Sequence, residues 1–255
     1  MSRDCRRISL EDWQLIESLI RRDWSPEQIS LWLKKYRKIR VSHEWIYQYI
    51  LNDKSQAGDL YTHLRLRKKR KKRYGSQNRR GMILNRVSIE KRPAEVDQRS
   101  RIGDWEMDTI IGAHHQGVLL SLVERKSRLC LIARLANKSA QEVERTTSNL
   151  LDSIKEKVHT VTFYNGKEFA KHESIAKNLD AQFFFAHPSL ERGLNENTNG
   201  LIRQYFPKKI QFNHISDQQF QSVMEKLNNR PRKCLGMKKP NQLFFKDHSF
   251  VALRS

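Results

Sequence analysis

Three carboxylates stand two residues apart in Gly103-Asp104-Trp105-Glu106-Met107-Asp108. In a strand, side chains alternate, so Asp104, Glu106 and Asp108 share one face. Acids in a row repel one another. An edge strand with a solvated face tolerates them, but the apolar continuation through Ile110 and Ile111 describes a central strand, where an acid facing a cleft needs a cation. A second cluster, Thr162-Phe163-Tyr164-Asn165-Gly166-Lys167-Glu168-Phe169, reads as a strand that ends in an Asn-Gly turn before a helix, and by itself is only a connecting loop. A third runs from Glu191 to Lys208. There Glu196 and Arg203, seven residues apart, fall on one face of a helix, a pattern that a salt-bridged surface helix shares. The nine histidines show no HxxxH or Cys-paired spacing and carry no ligand set of their own.

These clusters need a scaffold, and the pattern around them supplies one. Alternation predicts strands at Gly103 to Ile111, Val118 to Glu124, Leu129 to Leu135, Thr160 to Phe163 and Gln182 to Ala186. Helical patterning covers Ser139 to Lys157, Lys167 to Asn178, a polar stretch from Asn195 through Tyr205, and Ser216 to Asn229. Three strands, then helix, strand, helix, strand, helix, is the order of an α/β, ribonuclease-H-like domain: a mixed five-stranded sheet with flanking helices. Phe183, Phe184 and Phe185 suit a buried strand.

A small all-α unit precedes it. Helices are predicted at Ser9 to Arg22, Ser25 to Arg37 and Ser42 to Asn52. Ser9 and Ser25 are start signals, with Asp12 three residues after the first serine and Pro26 at the first helical position after the second. The arrangement reads as a helix-turn-helix, whose last helix enters a DNA groove by its N-terminal end, placing Ser42, His43 and Tyr47 at the contact. Trp45, Ile46, Ile50 and Leu51 recur at helical spacing, and Trp13, Trp32 and Trp45 are expected in its core. The organisation is therefore a helix-turn-helix domain over 1–53, a basic linker over 54–99 and the sheet domain with a C-terminal helix over 100–255. In the linker eight of nine residues from Arg65 to Arg73 are basic: Arg65, Arg67, Lys68, Lys69, Arg70, Lys71, Lys72 and Arg73. Held between structured regions, such a block gains phosphate contacts by counterion release.

The whole chain is basic, with 49 Lys and Arg against 28 Asp and Glu, a net charge of +21. A polyanion is the natural partner. No apolar run reaches the roughly 18 residues of a membrane span, and no secretory signal opens the chain. Cys5, Cys130 and Cys234 are odd in number and widely spaced, which fits a reducing cytoplasm.

Taken together, Gly103-Asp104-Trp105-Glu106-x-Asp108, Asn165-Gly166-Lys167-Glu168-Phe169, the run from Glu191 to Lys208 and the run from Leu227 to Gly236 resemble the insertion sequence 30 family of DDE transposases, relatives of the retroviral-integrase catalytic core. Ser25-Pro26-Glu27-Gln28-Ile29-Ser30 and Val41-Ser42-His43-Glu44-x-Ile46-Tyr47 look like that family's DNA-binding region. The resemblance implies double-stranded DNA, both element ends and target, as partner, and a homo-oligomer on that DNA. It also implies three carboxylates holding two Mg²⁺ (or Mn²⁺) ions for in-line phosphodiester cleavage and transfer. Carried over, the first acid is Asp108 and the third is Glu196, with Asn165 and Arg203 touching DNA and with Asp104 and Glu106 in support.

The chain departs from the family in three places. Where the family has Asp-Asn-Gly, this chain has Tyr164-Asn165-Gly166, so Tyr164 marks the position of a lost acid. A phenol with an ordinary pKa of about 10 is neutral at pH 7 and cannot stand in for a bridging carboxylate. Glu168 and Glu173 are expected on the following helix and Asp180 beyond it, so none fills the gap. The loop His187-Pro188-Ser189-Leu190 before Glu191 is shorter than in the family and lacks its tryptophan, and an upstream helix-turn-helix usual in the family is missing, as in an N-terminally truncated chain. The expectation is a transposase by descent with impaired strand transfer. The competing expectation is a non-catalytic DNA-binding repressor or remnant of a decayed mobile element.

Overall fold

The computed structural model describes residues 8–65, 83–164, 166–186 and 193–245. The chain forms two compact units: Met1–Tyr74 with Asn229–Lys239, and Gly75–Asn228 with Pro240–Ser255. The sequence reading drew its divisions at 53 and 99 and ran the second domain unbroken to 255.

In the first unit, helices α1 (Leu10–Arg21), α2 (Pro26–Trp32) and α3 (His43–Ser55) start where serine supplies the missing acceptor. Ser9 Oγ accepts from Asp12 N, and Ser42 Oγ accepts from Trp45 N. Ser25 and Gln28 close a full capping box with Pro26 at the first position. The predicted second helix does not stay α-helical to Arg37. It finishes as a π-turn, Leu33–Arg37, and Lys38 leaves it in the left-handed region at φ 60°. Ile16, Ile20, Ile29, Leu33, Ile46, Ile50 and Leu60 are buried in its core. Trp13 and Trp32 pack against that core as expected, but Trp45 is 62% exposed, contrary to expectation, and Leu51 is exposed too. The burial stripe of α3 runs through Ile46 and Ile50, four residues apart, and is too narrow to take in their neighbours. The segment Asn229–Lys239 joins this unit through Gln28 Nε2 donating to Pro231 O (2.7 Å), Lys35 Nζ donating to Gly236 O (2.6 Å) and a Lys233–Glu27 ion pair.

Helices α1 and α3 are also tied by Tyr49, whose hydroxyl donates to Glu17 while its ring stacks on Trp13 at 4.1 Å. The Glu17 carboxylate, helped by partial burial, pushes the Tyr49 phenol up to about 12. The folded value lies above the unfolded one of about 10. Folding thus favours the neutral phenol, a contribution complete below about pH 10 and lost as pH rises through 12. Melting temperature followed across that window should fall more steeply for the parent than for Tyr49→Phe; parallel curves would remove Tyr49 from the account.

The second unit opens with a short helix α4 (Ala94–Gln98), whose Val96 is fully buried. Strands β1 (Asp104–Ile111), β2 (Val118–Glu124), β3 (Cys130–Leu135), β4 (Thr160–Tyr164) and β5 (Gln182–Ala186) form one sheet in the order β3-β2-β1-β4-β5. β1 is antiparallel to β2 and parallel to β4; β2 and β3 are antiparallel, β4 and β5 parallel. Helices α5 (Ala140–Asp152), α6 (His172–Leu179), α7 (Gly193–Tyr205), α8 (Asp217–Asn228) and α9 (Pro240–Phe244) complete it. This is the mixed five-stranded sheet with flanking helices that the sequence called for, and β1 is its central strand. Phe183, Phe184 and Phe185 are buried in β5 as expected. Gly103, at φ 110°, leads into β1 where a Cβ would meet His159 at 2.6 Å.

Each edge strand has a hydrogen-bond partner from outside the sheet at one residue. At β3, Asn228 Oδ1 accepts from Cys130 N and Nδ2 donates to Cys130 O, each at 2.8 Å. At β5, Phe185 N donates to Val87 O at 2.8 Å. Among the described residues no helix is long and apolar enough to cross a membrane.

Candidate active site

The predicted face of three acids exists, and the three differ in their company. Asp104 is fully buried, gripped by Arg101 through Nε at 3.2 Å and Nη2 at 3.1 Å and by Thr160 Oγ1 at 2.8 Å. Glu106 is buried against Arg125, whose Nη1 donates to it, and it also accepts from Asn195 N at 3.3 Å. Burial pushes the Glu106 carboxyl up; Arg125, the Asn195 N–H and the charges of Arg92 and Arg99 pull it back. Asp108, half-buried, has neutral donors only: Thr109 N to Oδ1 and Asn199 Nδ2 to Oδ2, both at 2.8 Å. Burial raises its pKa above the ordinary carboxylate range, partly offset by those two donors, and the charge of Glu168 raises it further. Among the described residues, Asp108 alone of the three lacks a basic ion-pair partner.

α7 lies along this face. Asn195 N reaches Glu106, Asn199 reaches Asp108, and Arg203 Nη2 donates to Ile111 O at 2.6 Å. Four residues of helix advance about 6 Å and two of strand about 6.6 Å, so rungs four apart on α7 match rungs two apart on β1. Glu196 follows Asn195, about 100° further round the axis. It is exposed, makes no hydrogen bond or ion pair among the described residues, and stands one turn before the residue that holds Asp108. Asp108 and Glu196 are thus carried to one side of the sheet. Arg203 is committed to the frame, donating also to Phe206 O with its guanidinium over Phe212, and burial pulls its pKa down.

The β1–β4 register ends at Met107↔Phe163, so the backbone of Tyr164, paired with Ala186, comes level with Asp108. Asn165 and the loop from His187 to Arg192 lie outside the described residues. After Gly166 the chain makes a 3₁₀ turn, Lys167–Phe169, before α6 starts at His172, so Glu168 is not on the helix where the sequence put it. Its Oε1 accepts from Thr109 Oγ1 at 3.1 Å and pairs with Lys138 Nζ at 2.9 Å. Burial alone would raise the Glu168 carboxyl; Lys138 and the Thr109 hydroxyl bring it below its usual value. Among the described residues no three His, Cys, Asp or Glu side chains gather closely enough to hold a metal ion. The sequence singles out neither Asn199 nor Lys138 and sets Glu168 aside as a helix residue, although Asn199 stands three residues after Glu196, a spacing that shares a helix face.

In the helical unit, Ser42 caps α3, His43 is about half exposed and pairs with Glu44 at 2.9 Å, and Tyr47 is exposed. Tyr47 and Leu51, four residues apart, share an exposed, partly apolar face of α3 with His43, and Trp45 is exposed on another side of the helix. At the start of that helix a shallow pocket of about 400 Å³ is lined by Ser30, Lys34, Arg40, Val41 and Ser42. Arg65 is exposed; Arg67 to Arg73 lie outside the described residues.

No protein-family model matches the chain. Over 232 residues it is 44% identical to the transposase of insertion sequence element IS4351 from Bacteroides fragilis, covering 90% of this chain and 71% of that protein. It is 34% identical over 243 residues to the IS1086 transposase of Cupriavidus metallidurans, 91% of this chain and 71% of the relative. To transposase InsI of IS30A from Escherichia coli it is again 34% identical, spanning 63% of that longer protein. Among solved structures, the catalytic core domain of BIV integrase aligns with 57% of this chain and 95% of its own at a TM-score of 0.46 and 19% identity. Identity at this level over nine-tenths of the chain places it among its relatives: it belongs to the insertion sequence 30 family of transposases.

Proposed function

We propose that the chain is a DNA-binding transposase that retains part of its family's Mg²⁺ site and in which strand cleavage and transfer are impaired. The observation that carries the reading is the contrast along β1, where Asp104 and Glu106 are neutralised by arginines and Asp108 is not. Asp108 and Glu196 offer the hard oxygen donors that Mg²⁺ takes, and a bound ion would polarise the phosphodiester and its attacking oxygen. Asn199 and Thr109 N–H orient the Asp108 carboxylate, and α7 keeps Glu196 on the same side. Tyr164 stands where the second acid belongs, and a neutral phenol supplies no such ligand. Purified protein with Mg²⁺ or Mn²⁺ and end-containing duplex should nick slowly; cleavage as fast as that of an intact family member sinks the claim of impairment.

DNA binding is assigned to the exposed start of α3, where Ser42, His43 and Tyr47 face outward, and to the basic block from Arg65 to Arg73; the resemblance adds Asn165 and Arg203. The lysine and arginine beside the α3 N-terminus suit a phosphate. Replacing the eight basic residues of the block by serine should flatten the dependence of log affinity on log salt by several units, roughly 0.9 for each phosphate no longer neutralised. His43→Ala with Tyr47→Ala should instead cost preference for element ends and leave the slope alone. An unchanged slope in the first variant would remove the block from the interface.

Assembly on DNA is expected to be homo-oligomeric, in the bacterial cytoplasm on the nucleoid. Tyr164 also favours a second reading, a non-catalytic repressor that occupies element ends; end-specific binding with no metal-dependent nicking at any divalent ion would select it.

A further inference from the structure

The connection between β1 and β2 is built against the preference of its own turn. Gly112 N donates to Gly117 O and Gln116 N to Ala113 O, each at 2.9 Å, which leaves His114-His115 as a two-residue hairpin tip. Both tip residues are left-handed, His114 at φ 52° and ψ 29° and His115 at φ 59°. This is a type I′ turn, whose central positions favour Asn-Gly because a Cβ is strained at positive φ. Two imidazoles stand there instead, and both residues are exposed. A tip that met only water would lose nothing by taking the preferred pair, and strain of this kind persists where a function needs the residue.

The tip is pinned from one side. Ala113 N donates to Ile210 O at 2.9 Å and Phe212 N to Gln116 O at 3.2 Å, so the segment leaving α7 lies alongside the hairpin. In that segment Ile210 N donates to Pro207 O at 3.0 Å, and the turn so formed carries Lys208 and Lys209, both exposed, with His214 exposed just beyond Phe212. Among the described residues none of these five side chains pairs with an acid. The sequence supplies no acid locally either: Asp and Glu are absent over 109–123 and 197–216, and Asp217 is held by Arg134 at 3.3 Å. Two exposed lysines on a chain of charge +21 would by themselves be an ordinary solvated turn. The strained histidine tip, fixed beside them by backbone bonds, sets this surface apart. It stands six residues past Asp108, at most roughly 20 Å along an extended strand, the length of about six base pairs of duplex.

We propose that the His114-His115 tip and the Lys208-Lys209 turn form a further DNA surface, on the sheet unit itself, that holds the backbone of the duplex whose phosphodiester lies at Asp108. Imidazole and ammonium donors take phosphate oxygens without reading bases, and so fix the position of a duplex and not its sequence. The inference rests on the reading of the chain as DNA-binding, with Asp108 at the reacting phosphodiester. It adds a contact that neither the start of α3 nor the basic block supplies.

Equilibrium binding of the whole chain to labelled duplex DNA of unrelated sequence, titrated with salt, tests this. Lys208→Ser with Lys209→Ser should lower the slope of log affinity against log salt by roughly 1.8, about 0.9 for each phosphate no longer neutralised. His114→Asn with His115→Gly installs the pair that the turn prefers, so this variant should melt no lower than the parent and yet bind several-fold more weakly. Weaker binding without loss of stability is a result that a merely structural turn does not give. Lys155→Ser with Lys177→Ser removes the same charge from exposed positions after α5 and on α6, and should keep the parent's slope. The lysine pair on the turn decides the matter should the hairpin variant not fold. A parent-like slope in Lys208→Ser with Lys209→Ser, parent-like affinity in the folded hairpin variant, or an equal loss in Lys155→Ser with Lys177→Ser overturns the proposal, while binding by the parent leaves the underlying reading intact. No binding by the parent overturns both.

Discussion

Tyr164→Asp is expected to raise metal-dependent cleavage of end-containing DNA on the order of 100-fold over the parent, comparable to restoring one electrostatic group at a reacting centre. The register places residue 164 one step past Phe163↔Met107, level with Asp108, and a carboxylate there adds a hard oxygen ligand where a neutral phenol adds none. In free-energy terms the change is about 2.7 kcal/mol off the barrier. Cleavage assays of parent and variant side by side, at matched DNA occupancy, read it directly. Equal rates from two folded proteins would move the deficit away from position 164 and toward the loop before α7.

Arg125→Met should be the most destabilising single change outside the apolar core. The guanidinium pairs with Glu106 where both side chains are under a tenth exposed, and its Nε donates to Val96 O at 3.2 Å. Removing it strands a carboxylate inside the unit, a loss of about 3–5 kcal/mol. For a unit of this size that lowers the melting temperature by roughly 10 °C. Glu106→Gln in the same chain should recover much of the loss, because the uncompensated charge goes with it. A drop of under 1 kcal/mol by denaturant titration would show that Arg92, close enough to bear on the same carboxylate, takes over.

Much of the scaffold was legible because it rests on local chemistry. Serine caps, a proline at a helix start and period-two apolar runs act over a few residues, and they marked the starts of the first unit's helices and all five strands to within a residue. The three-acid face was legible for the same reason, alternation being a property of a strand alone. Errors arose where a helix changes character or a long-range partner decides. The helix drawn from Lys167 breaks into a turn and a helix because Glu168 is held by Thr109 and Lys138, 59 and 30 residues away in sequence. Trp45 was counted as core on hydrophobicity, although burial on α3 belongs to Ile46 and Ile50.

Sequence by itself determined the family, the mixed sheet and the face on which the acids lie, since these follow from side-chain periodicity and from motifs that survive as strings. Which acid is left without a basic partner is another matter. Arg101 and Arg125 neutralise Asp104 and Glu106, Asn199 comes to Asp108 from a helix 91 residues on, and Glu168 turns back to the Thr109 hydroxyl. Charge compensation depends on distance through space and on exclusion of water, and only the packed sheet and its helices set those.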